Sequence, residues 1–210
     1  MKKYYIFLLL ILFNFSTYSQ SIYVNTGQNK TTYNYKNSQN QELQELRSGL
    51  GMFVETGINF KINSKKEINR WSCNLGFILN QFNSNAYINS SEYTWKTKYF
   101  GLKNDFIYRL TNKTSDLNLN LNTGFSFMKI ISGTQRINNM FYDLKNNSEF
   151  QGLFVEPNIG ANISYSINKK TNLYLGYNIS KAVRLKKKVG GESLNGFNNQ
   201  RVYLGLNFKI

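Results

Sequence analysis

The sequence has 210 residues, with 26 Lys and Arg against 11 Asp and Glu, a formal net charge of +15, no histidine and one cysteine. Without histidine the chain cannot build a Ser-His-Asp or Cys-His nucleophile or a His-ligated metal site. A single cysteine excludes an internal disulfide and a thiolate zinc site. We therefore predict a non-enzymatic protein with no cofactor. The positive charge suits nucleic acid, a membrane surface or an anionic cell envelope.

The first residues have the three-part layout of a secretory signal peptide. Two lysines precede an uncharged apolar run from Tyr4 to Phe13, and small residues follow at Thr17 and Ser19. We predict cleavage after Ser19, so that 1–19 is the signal peptide and 20–210 is the exported domain. The alternative is an uncleaved anchor, although a spanning helix needs roughly 20 apolar residues. Export argues against a nucleic-acid partner, and no nucleic-acid motif is present.

After this leader, apolar and polar residues alternate with a period of two, which is the signature of β-strands. Between Gly49 and Ile62, for example, Leu, Met, Val, Ile and Phe share one face, whereas Gly, Glu, Asn and Lys share the other. The alternation predicts eight strands, of which the first is the weakest. They are expected at about Ser21–Tyr35, Gly49–Ile62, Arg70–Asn80, Tyr99–Leu110, Leu117–Met128, Gly152–Tyr165, Asn172–Ser180 and Arg201–Ile210.

The lengths of the strands and of their connections point to a membrane barrel. Several strands are long enough for the about 9–11 residues that a tilted strand needs to cross a bilayer. Short turns are expected at 63–66, 110–115 and 168–170, and long polar loops at 37–47, 83–93, 132–149 and 184–196. This alternation is typical of outer-membrane barrels. We predict an all-β, eight-stranded antiparallel up-and-down transmembrane β-barrel with both ends of the exported chain at the short turns. A soluble periplasmic β-barrel or sandwich is the alternative.

Four segments carry a resemblance to a known family. They are YFGLKNDFIYRLTNK at Tyr99–Lys113, LNLNTGFSFMKIISG at Leu119–Gly133, FVEPNIGANISYSINKKTNLYLGYNIS at Phe154–Ser180 and RVYLGLNFKI at Arg201–Ile210. The chain resembles the small outer-membrane β-barrel proteins of Bacteroidetes, including the PorT-like group. The resemblance implies an outer-membrane location. It also implies that the barrel-assembly machinery reads the last strand, with Tyr203, Phe208 and Ile210, as a sorting signal.

Seven charged residues are predicted to point into the barrel. They are Glu55, Arg70, Lys103, Asp105, Arg109, Glu156 and Arg201. Charges in a narrow lumen must pair or stay hydrated, and eight strands leave just enough room for side chains. Our main interpretation is therefore a structural network of salt bridges with Glu55 and Glu156 as its anchors. A gate or a small polar conduit is the alternative.

Two further groups of side chains are expected near the strand ends. A basic cluster in the last long loop is a candidate to bind lipopolysaccharide or another polyanion, or else it is a solvated loop tip. Its members are Arg184, Lys186, Lys187 and Lys188. Some of the aromatic residues toward strand ends are expected to form the interfacial girdles of a membrane barrel. The candidates are Trp71, Tyr93, Trp95, Tyr99, Tyr108, Tyr165, Tyr174 and Tyr177.

These observations predict an outer-membrane barrel with a structural or surface-interaction role. Its expected partners are outer-membrane lipid and lipopolysaccharide, and the barrel-assembly machinery during insertion. The PorT-like resemblance implies an alternative role in a protein secretion or transport assembly, with secretion-system proteins as partners. A narrow pore and a soluble periplasmic ligand-binding barrel are further alternatives.

Overall fold

Nine antiparallel strands make up most of the part of the chain that the structure describes. The computed structural model describes residues 20–37, 39, 41–62, 70–88, 90–111, 116–185 and 192–210. The strands are β1 Gln20–Lys36, β2 Arg47–Lys61, β3 Trp71–Ile88, β4 Ser91–Arg109, β5 Leu117–Ile137, β6 Met140–Asp143, β7 Phe154–Ser166, β8 Thr171–Arg184 and β9 Ser193–Lys209. No helix within the described residues is long and apolar enough to span a membrane.

Eight of these strands close into a ring. Each pairs antiparallel with its neighbours, β9 pairs back onto β1, and β6 pairs with β5 alone. The predicted eight-stranded antiparallel up-and-down barrel is therefore confirmed. When the pairing is followed once around the ring from Ser21, it returns to β1 at Thr31, ten residues farther along the strand. Such a stagger requires strands tilted by about 35–45°.

The two ends of the barrel differ. One end, called here the turn end, carries the β2–β3, β4–β5 and β7–β8 connections and both ends of the described chain, since the Ile210 amide donates to the Gln20 carbonyl oxygen at 3.2 Å. The opposite loop end carries the β1–β2, β3–β4, β5–β7 and β8–β9 connections. The predicted turns at 63–66 and 110–115 lie wholly or mostly outside the described residues, whereas the turn at 168–170 is present.

Two predicted loops at the loop end are wrong. The segment 83–93 is instead a hairpin, because β3 runs to Ile88 and β4 begins at Ser91. Most of 132–149 is also ordered, since β5 continues to Ile137 and turns at Asn138, whose φ is 52°, into β6. Asparagine tolerates the positive φ that such tight hairpin turns need. The strands of the barrel therefore rise beyond the length that the sequence pattern suggested.

The reason for this error is that the alternation changes phase along the strands. Toward the turn end, apolar side chains point outward and polar ones inward. Toward the loop end of β4, Trp95 and Tyr99 point inward while Lys96 and Lys98 point outward. Apolar-in and polar-out is the pattern of a sheet that faces water. The loop-end part of the barrel therefore has an apolar core, and the turn-end part has an apolar exterior.

The apolar exterior, called here the outer band, runs around all eight strands of the ring. It is built from exposed aliphatic and aromatic side chains at alternate positions. Among them are Ile22, Val24, Val54, Ile58, Leu75, Phe77, Leu79, Phe100, Leu102, Phe106, Leu119, Leu121, Phe125, Phe127, Ile159, Ile163, Leu173, Leu175, Ile179, Val202, Leu204 and Leu206. An exposed apolar surface of this extent requires a partner or a membrane.

A pair of glycines allows β2 and β3 to approach each other inside the barrel. Gly57 and Gly76 are directly opposite in the ladder. A methyl group on Gly76 would collide with the Thr56 carbonyl oxygen and lie 2.9 Å from the Gly57 Cα atom. Because both of these are backbone atoms, the clash is not relieved by moving a flexible side chain.

We expect Gly76→Ala to lower the free energy of unfolding by about 1–3 kcal/mol, the usual cost of overpacking. Urea unfolding of the barrel in lipid vesicles, followed by tryptophan fluorescence, measures the change. Gly133→Ala is the matched control, because the three heavy atoms nearest to its new methyl group belong to side chains: Leu144 Cβ and Thr97 Cγ2 at 3.1 Å and Ile130 Cδ1 at 3.3 Å. Equal stability of Gly76→Ala and the wild type contradicts this account of the contact.

Candidate functional site

The lumen is the candidate functional site, and its side chains form three layers. At the turn end is a cavity walled by asparagine and serine, called here the amide cavity. Above it lie five paired charged residues, called the charge layer. At the loop end is a cluster of buried aromatic and aliphatic side chains, called the aromatic plug. Side chains of all eight ring strands reach this lumen because alternate residues point inward.

The charge layer contains two separate ion-pair groups. Lys103 Nζ lies 2.7 Å from Glu55 Oε2 and 2.8 Å from Asp105 Oδ2. Arg201 Nη2 lies 2.6 Å from both carboxylate oxygens of Glu156. All five side chains are nearly or fully buried, so each charge depends on its partner for the solvation that water would otherwise give.

Glu156 accepts the most hydrogen bonds of the residues in this layer. Its Oε2 accepts a hydrogen bond from Ser126 Oγ at 3.0 Å, and its Oε1 accepts from Ser180 Oγ at 2.7 Å and Asn199 Nδ2 at 3.1 Å. Together with Arg201 these donors surround the carboxylate. Four strands are thus joined through one acidic side chain, because the donors lie on β5, β8 and β9 and Glu156 lies on β7.

The structure brings together five of the seven predicted interior charges. Arg70 and Arg109 lie apart from the charge layer, at the turn end of the amide cavity. Arg70 Nη1 is 3.5 Å from the Tyr108 hydroxyl. Arg70 makes no salt bridge with the described carboxylates. A stabilising role for these salt bridges stays a prediction. The two predicted anchors, Glu55 and Glu156, lie in different ion-pair groups.

The aromatic plug is a set of interlocking rings that the sequence analysis did not predict. Phe197 lies at its centre, with ring centroids 4.6 Å from Phe82, 5.1 Å from Tyr33, and 5.2 Å from both Tyr99 and Phe154. Most of these contacts are tilted or edge-to-face, which are favourable aromatic geometries. The remaining members are mostly aliphatic or aromatic side chains from β1–β5, β8 and β9 and from the β6–β7 connection.

The β6–β7 connection covers the plug from the loop end. It inserts Leu144 and Phe150, which are both 1% exposed. The Tyr99 hydroxyl donates to the Phe150 carbonyl oxygen at 3.2 Å, and Arg184 donates to the carbonyl oxygens of Ser148 and Glu149. This connection therefore closes the barrel mouth.

Tyr35 adds a further contact to this cover. It lies near the end of β1, beyond the outward-facing Lys30 and outside the outer band. Its hydroxyl is 2.7 Å from Oε2 of both Glu149 and Glu192 and donates its single proton to one of them. Burial, and then the hydrogen bond to Glu149, raise the pKa of Tyr35 above its ordinary value. The hydroxyl therefore stays a donor at neutral pH.

The amide cavity has a volume of about 350 Å³. Ten asparagines and four serines of the described residues line it. Several amides are oriented by hydrogen bonds to one another: Asn59 Nδ2 donates to Asn74 Oδ1 at 2.6 Å, and Asn122 Nδ2 donates to Asn178 Oδ1 at 3.0 Å. The cavity ends at the charge layer, above which the plug fills the lumen.

The other predicted site residues are placed as follows. Lys186, Lys187 and Lys188 lie outside the described residues, and Arg184 holds the loop-end cover. In the last strand, Tyr203 points into the lumen, whereas Phe208 and Ile210 are exposed. Among the predicted girdle residues, Trp95 and Tyr99 belong instead to the plug, while Trp71 and Tyr165 are exposed at the turn end.

The missed plug residues had a signal in the sequence. Aromatic residues recur every second position at the loop end of β1 and β4, at Tyr33 and Tyr35 and again at Tyr93 and Trp95. Lysines stand between or beside them, as in Lys96 and Lys98. Such alternation continues a strand whose inward-facing residues change from polar to apolar. No group of three or more potential metal ligands occurs among the described residues.

Comparisons with known proteins do not indicate a role for this chain. No protein-family model matches the sequence, and no curated protein matches it. The chain is similar to solved outer-membrane barrels. Neisserial surface protein A is 14% identical, with 90% of this chain and 97% of that chain covered and a TM-score of 0.49. The N-terminal barrel domain of Pseudomonas aeruginosa OprF is 12% identical, with coverages of 90% and 97% and a TM-score of 0.42.

The outer membrane protease OmpT of Escherichia coli is also similar, at 8% identity, coverages of 91% and 97% and a TM-score of 0.45. The similar structures thus include both a protease and a surface protein, so structural similarity at such low sequence identity does not identify a function. It lends no support to the PorT-like assignment either. The assignment of the fold rests on the closed register of the strands in this chain.

Proposed function

We propose that this protein is a non-enzymatic outer-membrane β-barrel, closed to solutes, that acts as a structural or surface-interaction protein of the cell envelope. The observation that carries the proposal is the outer band, which surrounds the ring and gives way to polar side chains at the loop end. A soluble periplasmic barrel would leave this band in water. A bilayer covers it, and the tilted strands are long enough to cross.

Charged side chains at the edge of the outer band support the proposal. Five exposed lysines point outward near its loop-end edge, and we call them the lysine collar: Lys30, Lys96, Lys98, Lys129 and Lys181. The carboxylates on the ring strands point inward, with the exception of Glu92 near the hairpin tip. A cationic collar at one membrane interface suits an anionic leaflet, since lysine buries its stem beside lipid and places its ammonium at the headgroups.

This collar also suggests the orientation of the barrel. The phosphates of lipopolysaccharide are the anionic groups at the outer surface, so the loop end faces outward and the turn end faces the periplasm. The β3–β4 and β5–β6 hairpins then rise above the membrane, where Tyr87 and Phe141, 61% and 73% exposed, are available to partners. A surface-interaction role follows from this placement.

The interior argues against the pore alternative. A conducting path needs a continuous hydrated lumen, whereas Phe82, Phe154 and Phe197 are each at most 1% exposed within the plug. The ion pairs of the charge layer fill the lumen immediately below. Two successive layers of buried side chains lie between the amide cavity and the loop end.

One preparation tests location and closure together. We expect the expressed protein to fractionate with outer membranes, to migrate differently on detergent gels before and after heating, and to produce no conductance steps when it is inserted in planar bilayers. A soluble product contradicts the membrane location, and steady conductance steps contradict the closed lumen. Co-purification of a defined secretion complex supports the alternative role that the PorT-like resemblance suggests.

A further inference from the structure

We propose that the amide cavity is a binding site for a small polyhydroxylated anion, such as a sugar acid or a sugar phosphate, which enters from the turn end. The proposal goes beyond the proposed function and concerns the cavity itself. It holds whichever compartment the turn end faces, so a failure to bind leaves the membrane location untouched.

The shape of the cavity suits a captured ligand. Its volume of about 350 Å³ falls within the range of small-molecule sites, roughly 300–1,000 Å³. Its inner end is closed by the charge layer, where Lys103 and Arg201 are held by buried carboxylates. A solute that enters from the turn end therefore leaves by the same route, as from a binding site and unlike a channel.

The wall chemistry favours hydroxyl groups as ligands. Each asparagine amide has two donor hydrogens and an acceptor oxygen, and its side-chain partners here use only part of that capacity. Asn122 is 5% exposed and donates to Asn178, yet its own Oδ1 has no hydrogen-bond partner. Asn120 is likewise oriented through Asn162 and Ser164. A fixed set of adjacent donors and acceptors matches the adjacent hydroxyls of a sugar.

The charge distribution favours an anion. Four basic residues, Lys61, Arg70, Arg109 and Lys209, line the cavity toward its turn end. The two acidic residues that line it are Glu55 and Asp105, and both already neutralise Lys103. Counted as formal charges, the described residues that line the cavity are therefore net positive, which raises the local concentration of anions and favours their binding.

Arg70 is the residue chosen to test this charge. It has no carboxylate within salt-bridge distance among the described residues, and its contact with Tyr108 is long at 3.5 Å. Its replacement by glutamine therefore removes a charge at the cavity entrance without breaking a buried ion pair. Lys98→Gln is the matched control, since it makes the same change of net charge on the outer surface near the loop end.

The experiment is isothermal titration calorimetry of the full chain in detergent micelles. We expect glucuronate to bind saturably at one site, and both glucose, which lacks the charge, and acetate, which lacks the hydroxyls, to bind at least about tenfold more weakly. Absence of saturable binding by glucuronate overturns the proposal in favour of a water-filled cavity. Acetate binding as tightly as glucuronate overturns it in favour of a simple anion site.

The variants localise the binding. Arg70→Gln is expected to weaken glucuronate binding about tenfold, and Asn122→Leu, which replaces an amide with a side chain of similar size, is expected to weaken it to a similar extent. Lys98→Gln should bind as the wild type does. Heat-modifiable migration identifies any variant that fails to fold. If both cavity variants fold and bind glucuronate like the wild type, the amide cavity is not the site.

Discussion

Replacing Arg201 with methionine is expected to lower the free energy of unfolding by about 3–5 kcal/mol, the usual cost of removing one partner from a buried ion pair. The change leaves Glu156, which is 0% exposed, with three neutral donors and no positive charge within the ion pair. It also removes the guanidinium that lies 5.4 Å from the ring centroid of Phe53. Methionine fills part of the volume of the arginine side chain, so most of the lost stability is expected to come from the unpaired charge of Glu156.

The double variant Arg201→Met, Glu156→Gln separates charge from packing. Because glutamine retains a hydrogen-bonding group without a buried charge, the double variant should regain much of the stability that the single variant loses. Lys30→Met, which removes a lysine of the collar, should change stability by less than about 0.5 kcal/mol. Urea unfolding in lipid vesicles measures all three. A double variant that is as unstable as Arg201→Met shows that packing, rather than charge, is responsible.

Phe197→Ala is expected to be comparably damaging, with a loss of about 3–5 kcal/mol of unfolding free energy. Phe197 is 1% exposed and its ring contacts four other rings of the plug, on β1, β3, β4 and β7. Its removal leaves a cavity among rings that are anchored to different strands, so the surroundings cannot collapse fully onto the space. The cost should therefore lie in the upper part of the range for large-to-small changes.

The control for this prediction is Phe141→Ala on β6. Phe141 is 73% exposed, so the same chemical change there should cost less than about 0.5 kcal/mol. Trp95 belongs to the plug and reports on its packing through its fluorescence. Phe197→Ala should shift that emission to longer wavelength before global unfolding, and the Phe141 variant should not. Unchanged emission and stability in Phe197→Ala would falsify the plug as a packed unit.

The turn-end half of the barrel could be predicted from the sequence because its strands alternate strictly between apolar and polar residues. A strand with lipid on one side and a narrow lumen on the other must alternate, so the inward placement of Glu55, Lys103 and Glu156 followed from their phase relative to Leu, Ile and Phe. Which charges pair did not follow. Partner choice depends on the stagger of the ring, which brings Lys103 on β4 to Glu55 on β2, and no local pattern encodes that stagger.

The loop-end half was harder to predict because the apolar side chains there point inward instead of outward. Trp95 and Tyr99 were assigned to an interfacial girdle, since aromatic residues near strand ends usually lie at the membrane surface. In the proposed membrane placement the barrel has left the bilayer at this level, so it buries apolar side chains against one another in its interior. The amide cavity was also not predicted, because ten asparagines from different strands converge only when the ring closes.

The change of phase along the strands has a consequence for how this protein tolerates mutation. A lysine is native on the outer surface at Lys98, whereas the same residue at Leu102, which faces outward on the same strand four residues away, would place a charge in hydrocarbon. Inside the barrel the preferences are reversed, with apolar residues required near Tyr99 and polar ones near Asp105. Opposite substitutions are therefore tolerated in the two halves of β4, and in the proposed placement the residue at which the preferences exchange marks the membrane boundary on that strand.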